Sequence, residues 1–167
     1  EFRSFLSSGA RAARVAAVAE VMQQDIVSGH ALRNPASLRS FLVVAFADLK
    51  KYHFAYTVAF PVLTPPGSWD TYAPPCGAEE AGFSRALLCE ISDKLYSDAE
   101  LASAGAFLLV RSSTAEPWAV RRLSALEEFA ATVAEDLVVA FVDPSASNAA
   151  PGWPLRNLIL AVAHQRP

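Results

Sequence analysis

The sequence predicts an α+β fold, with a mixed or antiparallel sheet of about four strands and about five helices. Three observations carry that expectation. The hydrophobic period changes from helical to extended within one stretch, Phe41 to Pro61. The elements read helix, helix, strand, helix, strands, helix, strand, helix, without the regular alternation of a doubly wound sheet. With 167 residues of which 53% are hydrophobic, the chain can fill a core, which excludes disorder as its main state.

Glu1 to Ser8 has no pattern. From Gly9 the chain is Ala-rich, and Val15, Val18, Ala19, Met22 and Ile26 form the stripe of a first helix that stops at Ser28-Gly29. Asn34-Pro35 supplies a cap and a helix-initiating proline. Leu38, Phe41, Leu42, Ala45, Phe46 and Leu49 then recur at helical spacing, which predicts a second helix. After the polar corner Asp48-Leu49-Lys50-Lys51-Tyr52, the bulky residues Phe54, Tyr56, Val58 and Phe60 alternate with His53, Ala55, Thr57 and Ala59. That alternation predicts a strand over Tyr52 to Leu63, ended by Pro61 and Pro65-Pro66-Gly67.

Thr64 to Ala78 is a Pro-rich loop, and Glu79 to Tyr96 returns to helical period with Phe83, Leu87, Ile91 and Leu95 on one face. Phe107 to Val110 reads as a buried strand, with Trp118 to Leu123 pairing beside it as a hairpin. Ser124 and Glu127 have capping-box spacing ahead of a fourth helix carrying Leu126, Phe129, Ala130 and Val133. Leu137 to Val142 is a further strand, stopped by Asp143-Pro144. After a small-residue loop, Trp153-Pro154 starts a fifth helix with Leu155, Leu158, Ile159 and Val162 inward. No internal repeat or linker is visible, so residues 1–167 read as a single domain.

Charge narrows the partners. Fourteen basic residues against seventeen acidic ones, with no basic run longer than two, give no footprint for nucleic acid or an anionic membrane surface. The most apolar runs, Phe41 to Ala47 and Leu158 to Ala163, fall far short of a spanning helix, and the first residues do not resemble a signal peptide. Cys76 and Cys89 make no disulfide framework and are expected to be reduced, consistent with a cytoplasmic address. The apolar excess is also what a chain with a normally covered surface would show.

Most catalytic chemistry lacks its residues. The seven glycines form neither a dinucleotide fingerprint nor a P-loop. His30, His53 and His164 are far apart and lack the cysteine or carboxylate neighbours of a metal site. Cys89 reads as a small buried hydrophobe rather than a thioester nucleophile, because Glu90 and Asp93 beside it oppose a thiolate. His53 reads as a core or edge histidine; a small hydrolase built on it would need a nucleophile elbow that the chain does not have.

Two segments carry a resemblance: Phe46 to Phe54, FADLKKYHF, and Pro151 to Asn157, PGWPLRN, the latter following Asp143-Pro144. In that order, with an aromatic strand after the first and a helix after the second, they resemble the N-terminal domain of the autophagy-related protein seven family. These are non-standard E1-like enzymes that activate ubiquitin-like modifiers. The similarity spans about Val15 to His164, and it implies that the chain is an internal piece of a larger N-terminal domain. It also implies recruitment of E2-like conjugating enzymes, with no catalytic, cofactor or metal residues in the chain itself. ATP, magnesium, the ubiquitin-like modifiers and homodimer formation would belong to a separate catalytic domain. The candidate contact residues are Asp48, Lys50, Lys51, Tyr52, Trp153, Arg156 and Asn157. Lys50 and Lys51 suit an acidic partner segment, or simply a solvated helix end. Tyr52, Trp153 and Arg156 are residue types enriched in interface hot spots; on the structural side, Trp153 suits a staple for its turn, and Arg156 with Asn157 a bridge from the Trp153 loop to the Asp48 corner. The competing function is accordingly a purely structural subdomain.

Overall fold

Proline cannot donate the amide proton that continues a ladder or a helix, and the chain passes between two compact units at Pro65 and again beside Pro144. One unit comprises Glu1–Thr64 with Asp143–Pro167, and the other Pro65–Val142. The structure is a computed structural model, and it describes residues 8–65, 67, 73–111, 113, 117–129, 136–147 and 150–165. Among these the α+β expectation is borne out, with two small antiparallel sheets in place of one sheet of four strands.

The first unit begins with α1 (Ser8–Val27). Met22 and Ile26, at i and i+4 on its apolar face, are buried. Gly29 closes it at φ 71°, a left-handed conformation that glycine adopts without strain. The one-turn α2 (His30–Arg33) and a 3-10 helix (Pro35–Arg39) follow, burying Ala31, Leu32, Pro35 and Leu38. Strands β1 (Leu42–Asp48) and β2 (His53–Ala59) then form an antiparallel hairpin, with Val43 opposite Val58, Ala45 opposite Tyr56 and Ala47 opposite Phe54. The last helix of the chain returns to this unit and buries Leu158 and Ala161.

The second unit contains α3 (Arg85–Ser97), α4 (Ala99–Ala104) and the strands β3 (Ala106–Val110), β4 (Ala119–Arg122) and β5 (Leu137–Phe141). The all-apolar β3 lies between the other two, and all five of its residues are buried. Ile91, Leu95, Leu101, Phe107 and Leu109 form the core cluster. Ser84 caps α3 through the Leu87 amide, and Asp98 caps α4 through the amides of Glu100 and Leu101. Trp118 stacks on Phe83 with centroids 5.4 Å apart, while the Arg111 guanidinium lies 4.6 Å over the same ring and pairs with Asp136 at 2.6 Å.

Several expectations are corrected. Phe41 to Leu49 is not a helix. The run Phe41 to Phe46 is apolar almost without a break, so a helical subset can be picked from it, but Val43 and Val44 are β-branched and sit more easily in a strand. The helix expected over Glu79 to Tyr96 starts only at Arg85, because Ala78 to Gly82 form turns. The fourth helix is, over the described residues, a 3-10 helix (Leu123–Phe129) burying Leu123 and Leu126; Ala130 and Val133 lie outside the described residues. Cys89 is exposed rather than buried. It lies two residues from both Leu87 and Ile91, about 200° around the helix from the face that faces the core.

The second unit makes a direct prediction. Leu109→Ala should lose about 2–5 kcal/mol of unfolding free energy in urea titrations, whereas Cys89→Ser, on the solvent face of α3, should stay within about 0.5 kcal/mol of the parent.

Candidate functional site

The hairpin turn is shaped by one carboxylate. Asp48 Oδ1 accepts the amides of Lys50 at 3.1 Å and Lys51 at 3.2 Å, and the Asp48 carbonyl accepts Lys51 N–H as well. With those groups satisfied locally, the chain reverses over four residues and re-enters β2 through Tyr52 at φ 53°. A left-handed tyrosine is uncommon and costs about 1–2 kcal/mol. Its ring is 84% exposed, and Leu49, Lys50 and Lys51 around it are exposed too. Beneath the turn, Asp48, Lys51, His53 and Phe54 help line a pocket of about 290 Å³. His53 is exposed at the start of β2, an edge and not a core histidine.

The second candidate segment is built around α5 (Pro154–Gln165) and the loop entering it. The Asp143 carboxylate accepts Gly152 N–H at 3.0 and 3.1 Å, and Ser145 N–H at 2.8 Å. A Cβ on Gly152 would stand 2.5 Å from Asp143 Oδ1 and 3.3 Å from the Pro144 ring, so the closeness of this clamp requires glycine. Pro154 occupies the first helical position and is buried, while Trp153 before it is 67% exposed.

Asn157 is 0% exposed. Its side-chain amide donates to the carbonyls of Leu38 at 3.2 Å and Pro61 at 3.0 Å, and its oxygen accepts Leu63 N–H at 3.0 Å. A side chain with no exposed surface cannot touch a partner, so Asn157 is corrected from contact residue to positioning residue. It braces the 3-10 helix and the exit of β2 rather than the Asp48 corner. This also corrects the helix face: the inward row is Pro154, Asn157, Leu158 and Ala161, and Ile159 is exposed. Excluding the polar Asn157 from the apolar stripe had rotated the expected face. Arg156 is exposed and has no ion-pair partner among the described residues.

Sequence reasoning missed the surface between these segments. The outward face of the hairpin carries Val43, Phe54, Tyr56 and Val58, so the bulky row of β2 faces solvent and its small row is half-buried. At the base of that face, Phe41, Val58, Phe60, Trp153 and Pro154 contribute to an open cleft of about 870 Å³. The signal was available in the alternation of β2, which shows two unlike faces without saying which is inward. Among the described residues no group of three His, Cys, Asp or Glu is arranged to hold a metal ion, and no helix is long and apolar enough to cross a membrane.

The fold and this surface define an α+β chain of two compact units, one of which presents exposed aromatic and basic side chains around a clamped loop and a tight turn. Comparison with known proteins narrows that class. The family model described as the N-terminus of the ubiquitin-like modifier-activating enzyme ATG7 matches residues 6–167. The ubiquitin-like modifier-activating enzyme ATG7 of Gibberella zeae is 34% identical over 148 residues, covering 78% of this chain and 21% of the relative. The Homo sapiens protein of the same name is 34% identical over 146 residues, covering 85% and 20%, and that of Emericella nidulans 33% over 153 residues, covering 86% and 23%. The chain belongs to the family of ATG7 N-terminal domains, as the FADLKKYHF and PGWPLRN segments imply, and it spans about a fifth of the length of the curated relatives it matches.

Two substitutions test the braces. Asn157→Ala leaves one buried donor and two acceptors unpartnered and should cost about 3 kcal/mol or more in chemical denaturation. Gly152→Ala should cost about 1–2 kcal/mol by displacing the Asp143 carboxylate from two amides, and Asp143→Asn combined with it should add little, since both act on one clamp.

Proposed function

We propose that the first unit recruits E2-like conjugating enzymes for a ubiquitin-like-modifier-activating enzyme and holds them where thioester transfer takes place. The observation that carries the reading is the exposure of Leu49, Lys50, Lys51 and Tyr52 on a turn whose own geometry needs only Asp48. Tyrosine, tryptophan and arginine are the residue types that concentrate binding energy at interfaces, and Tyr52, Trp153 and Arg156 are all exposed in this unit. The lysine pair suits an acidic segment and would act chiefly on association rate and salt dependence. Recruitment contributes to catalysis by positioning, since a thiol held near its acceptor reacts without the entropy loss of a bimolecular encounter. Bond making, with ATP, magnesium and the ubiquitin-like modifier, is assigned to other parts of a longer, homodimeric, cytoplasmic enzyme.

The structural-subdomain reading has its own support. Asp48, Gly152 and Asn157, which belong to the two motif segments, are all engaged inside the unit. The readings divide the motifs between them: those three residues hold the unit together, and the lysines, Tyr52 and Trp153 are left for a partner.

Isothermal titration of the chain with an E2-like conjugating enzyme from the same source separates them. The double variant Lys50→Glu, Lys51→Glu should bind about tenfold more weakly, roughly 1.4 kcal/mol, with the difference shrinking in high salt. Unchanged affinity in a variant that melts like the parent would establish the purely structural role.

A further inference from the structure

In the second unit, Ser124 and Glu127 have the spacing of a capping box, and the structure does not use it. The Ser124 hydroxyl makes no hydrogen bond among the described residues, and the side chain is exposed at the second position of the 3-10 helix (Leu123–Phe129). Leu123 and Leu126 beside it are buried. The turn is thus anchored by its apolar residues and owes nothing to the serine, which leaves a free hydroxyl in solvent.

What precedes Ser124 is distinctive. Arg121 and Arg122, three and two positions before it, are the only adjacent pair of arginines in the sequence. Both are exposed at the end of β4, an edge strand with β3 on one side and no strand on the other among the described residues. The pair therefore stands on extended backbone. Arg121 donates only to the neighbouring Val120 carbonyl, at 3.1 Å. Arg122 is paired with Glu100 and, at 3.7 Å, with Asp98, but all three side chains are largely in solvent. Exposed ion pairs of this kind contribute little and exchange readily with other carboxylates.

We infer that Ser124 is a phosphorylation site for a basophilic protein kinase, whose acidic substrate groove reads Arg121 and Arg122. In the transfer, Ser124 Oγ attacks the γ-phosphorus of ATP, the bond to the bridging oxygen breaks and ADP leaves. The hydroxyl proton passes to the kinase's catalytic carboxylate. Glu127 and Glu128, three and four positions after the serine, would suit an acidophilic kinase instead. They lie in the 3-10 helix, however, where successive side chains turn about an axis, whereas a kinase groove takes its substrate as an extended chain. Threading Ser124 into that groove lifts Leu123 and opens the first 3-10 turn, whose hydrogen bonds are of poorer geometry than those of an α-helix. The product carries about −1.5 to −2 charges at pH 7. They would offset the two arginines that guard the open edge of β4. The inference is independent of the recruitment reading, which concerns the other unit.

The test uses the 167-residue chain with the catalytic subunit of cyclic-AMP-dependent protein kinase and magnesium ATP, the phosphate being located by peptide mass spectrometry. Phosphate is expected on Ser124 of the parent and on no residue of the same peptide in Ser124→Ala. Arg121→Ala breaks no ion pair among the described residues, so it should melt with the parent. It should nevertheless lower kcat/KM for Ser124 at least about tenfold by removing a charge-assisted contact. Phosphorylation of a synthetic peptide spanning Ala119 to Glu128 but not of the folded chain overturns the site. Incorporation that Arg121→Ala leaves unchanged, or labelling of Ser124 by the acidophilic casein kinase II and not by the basophilic enzyme, overturns the kinase class.

Discussion

The first unit depends on the buried amide of Asn157. Its two halves are far apart in sequence: Leu63 and Asn157 are separated by 94 positions and Leu38 and Asn157 by 119. Bringing such distant segments together costs loop-closure entropy, although that cost grows only slowly with length. Apolar packing of Met22, Ile26, Leu38, Leu158 and Ala161 supplies the non-directional part of the compensation. What packing cannot supply is register. The carbonyls of Leu38 and Pro61 and the amide of Leu63 lie where the chain leaves regular structure, and each would be costly if buried unpaired. A primary amide offers donors on one side and an acceptor on the other, so one side chain answers all three. Leucine would fill a similar volume and leave them unanswered. Aspartate would supply only acceptors.

The Asp143 carboxylate performs the complementary task just upstream. By accepting the Gly152 amide it closes the loop before α5 and fixes the direction from which the helix enters. Asn157, less than two turns into that helix, can then reach the β2 exit. Three positions of the segment PGWPLRN follow from this arrangement. Glycine is required by the approach of the carboxylate, proline by the first helical position, and asparagine by the three backbone groups. Tryptophan and arginine are the members that the internal architecture does not require.

The legible parts of the fold were those where local and long-range forces agree. The α1 stripe, the buried β3, its pairing with β4 and the proline start of α5 all read correctly, because periodicity and burial point the same way. The hairpin did not, for a definite reason. Between Phe41 and Phe46 nearly every residue is apolar, so burial cannot select a period, and only the β-branched side chains of Val43 and Val44 favour extension. The site was partly legible. The exposed turn was visible as a polar corner that packing does not need. Asn157 was misassigned because a sequence shows that a residue is polar and not that its polarity is used inside. The cleft was invisible, since it joins segments that meet only when Asn157 closes the unit.

Tyr52 sharpens the distinction between residues that hold and residues that present. At φ 53° a glycine or asparagine would adopt the same backbone with less strain, and Asp48 already satisfies the amides that shape the turn. Nothing inside the unit gains from the ring, which is almost wholly in solvent. The exposed row of Phe54, Tyr56 and Val58 behaves the same way, because facing outward forgoes about 1.5–3 kcal/mol for each large apolar side chain that burial would have contributed. A two-stranded hairpin is marginal on its own, so a strained tyrosine and an unburied aromatic row are poor choices if stability alone decides. They are explicable if the hairpin is incomplete until something lies against it. On that reading Asp48, Gly152 and Asn157 hold the unit, while Tyr52, Phe54 and Trp153 from the same two motifs, with Tyr56 and Val58 further along β2, are left exposed.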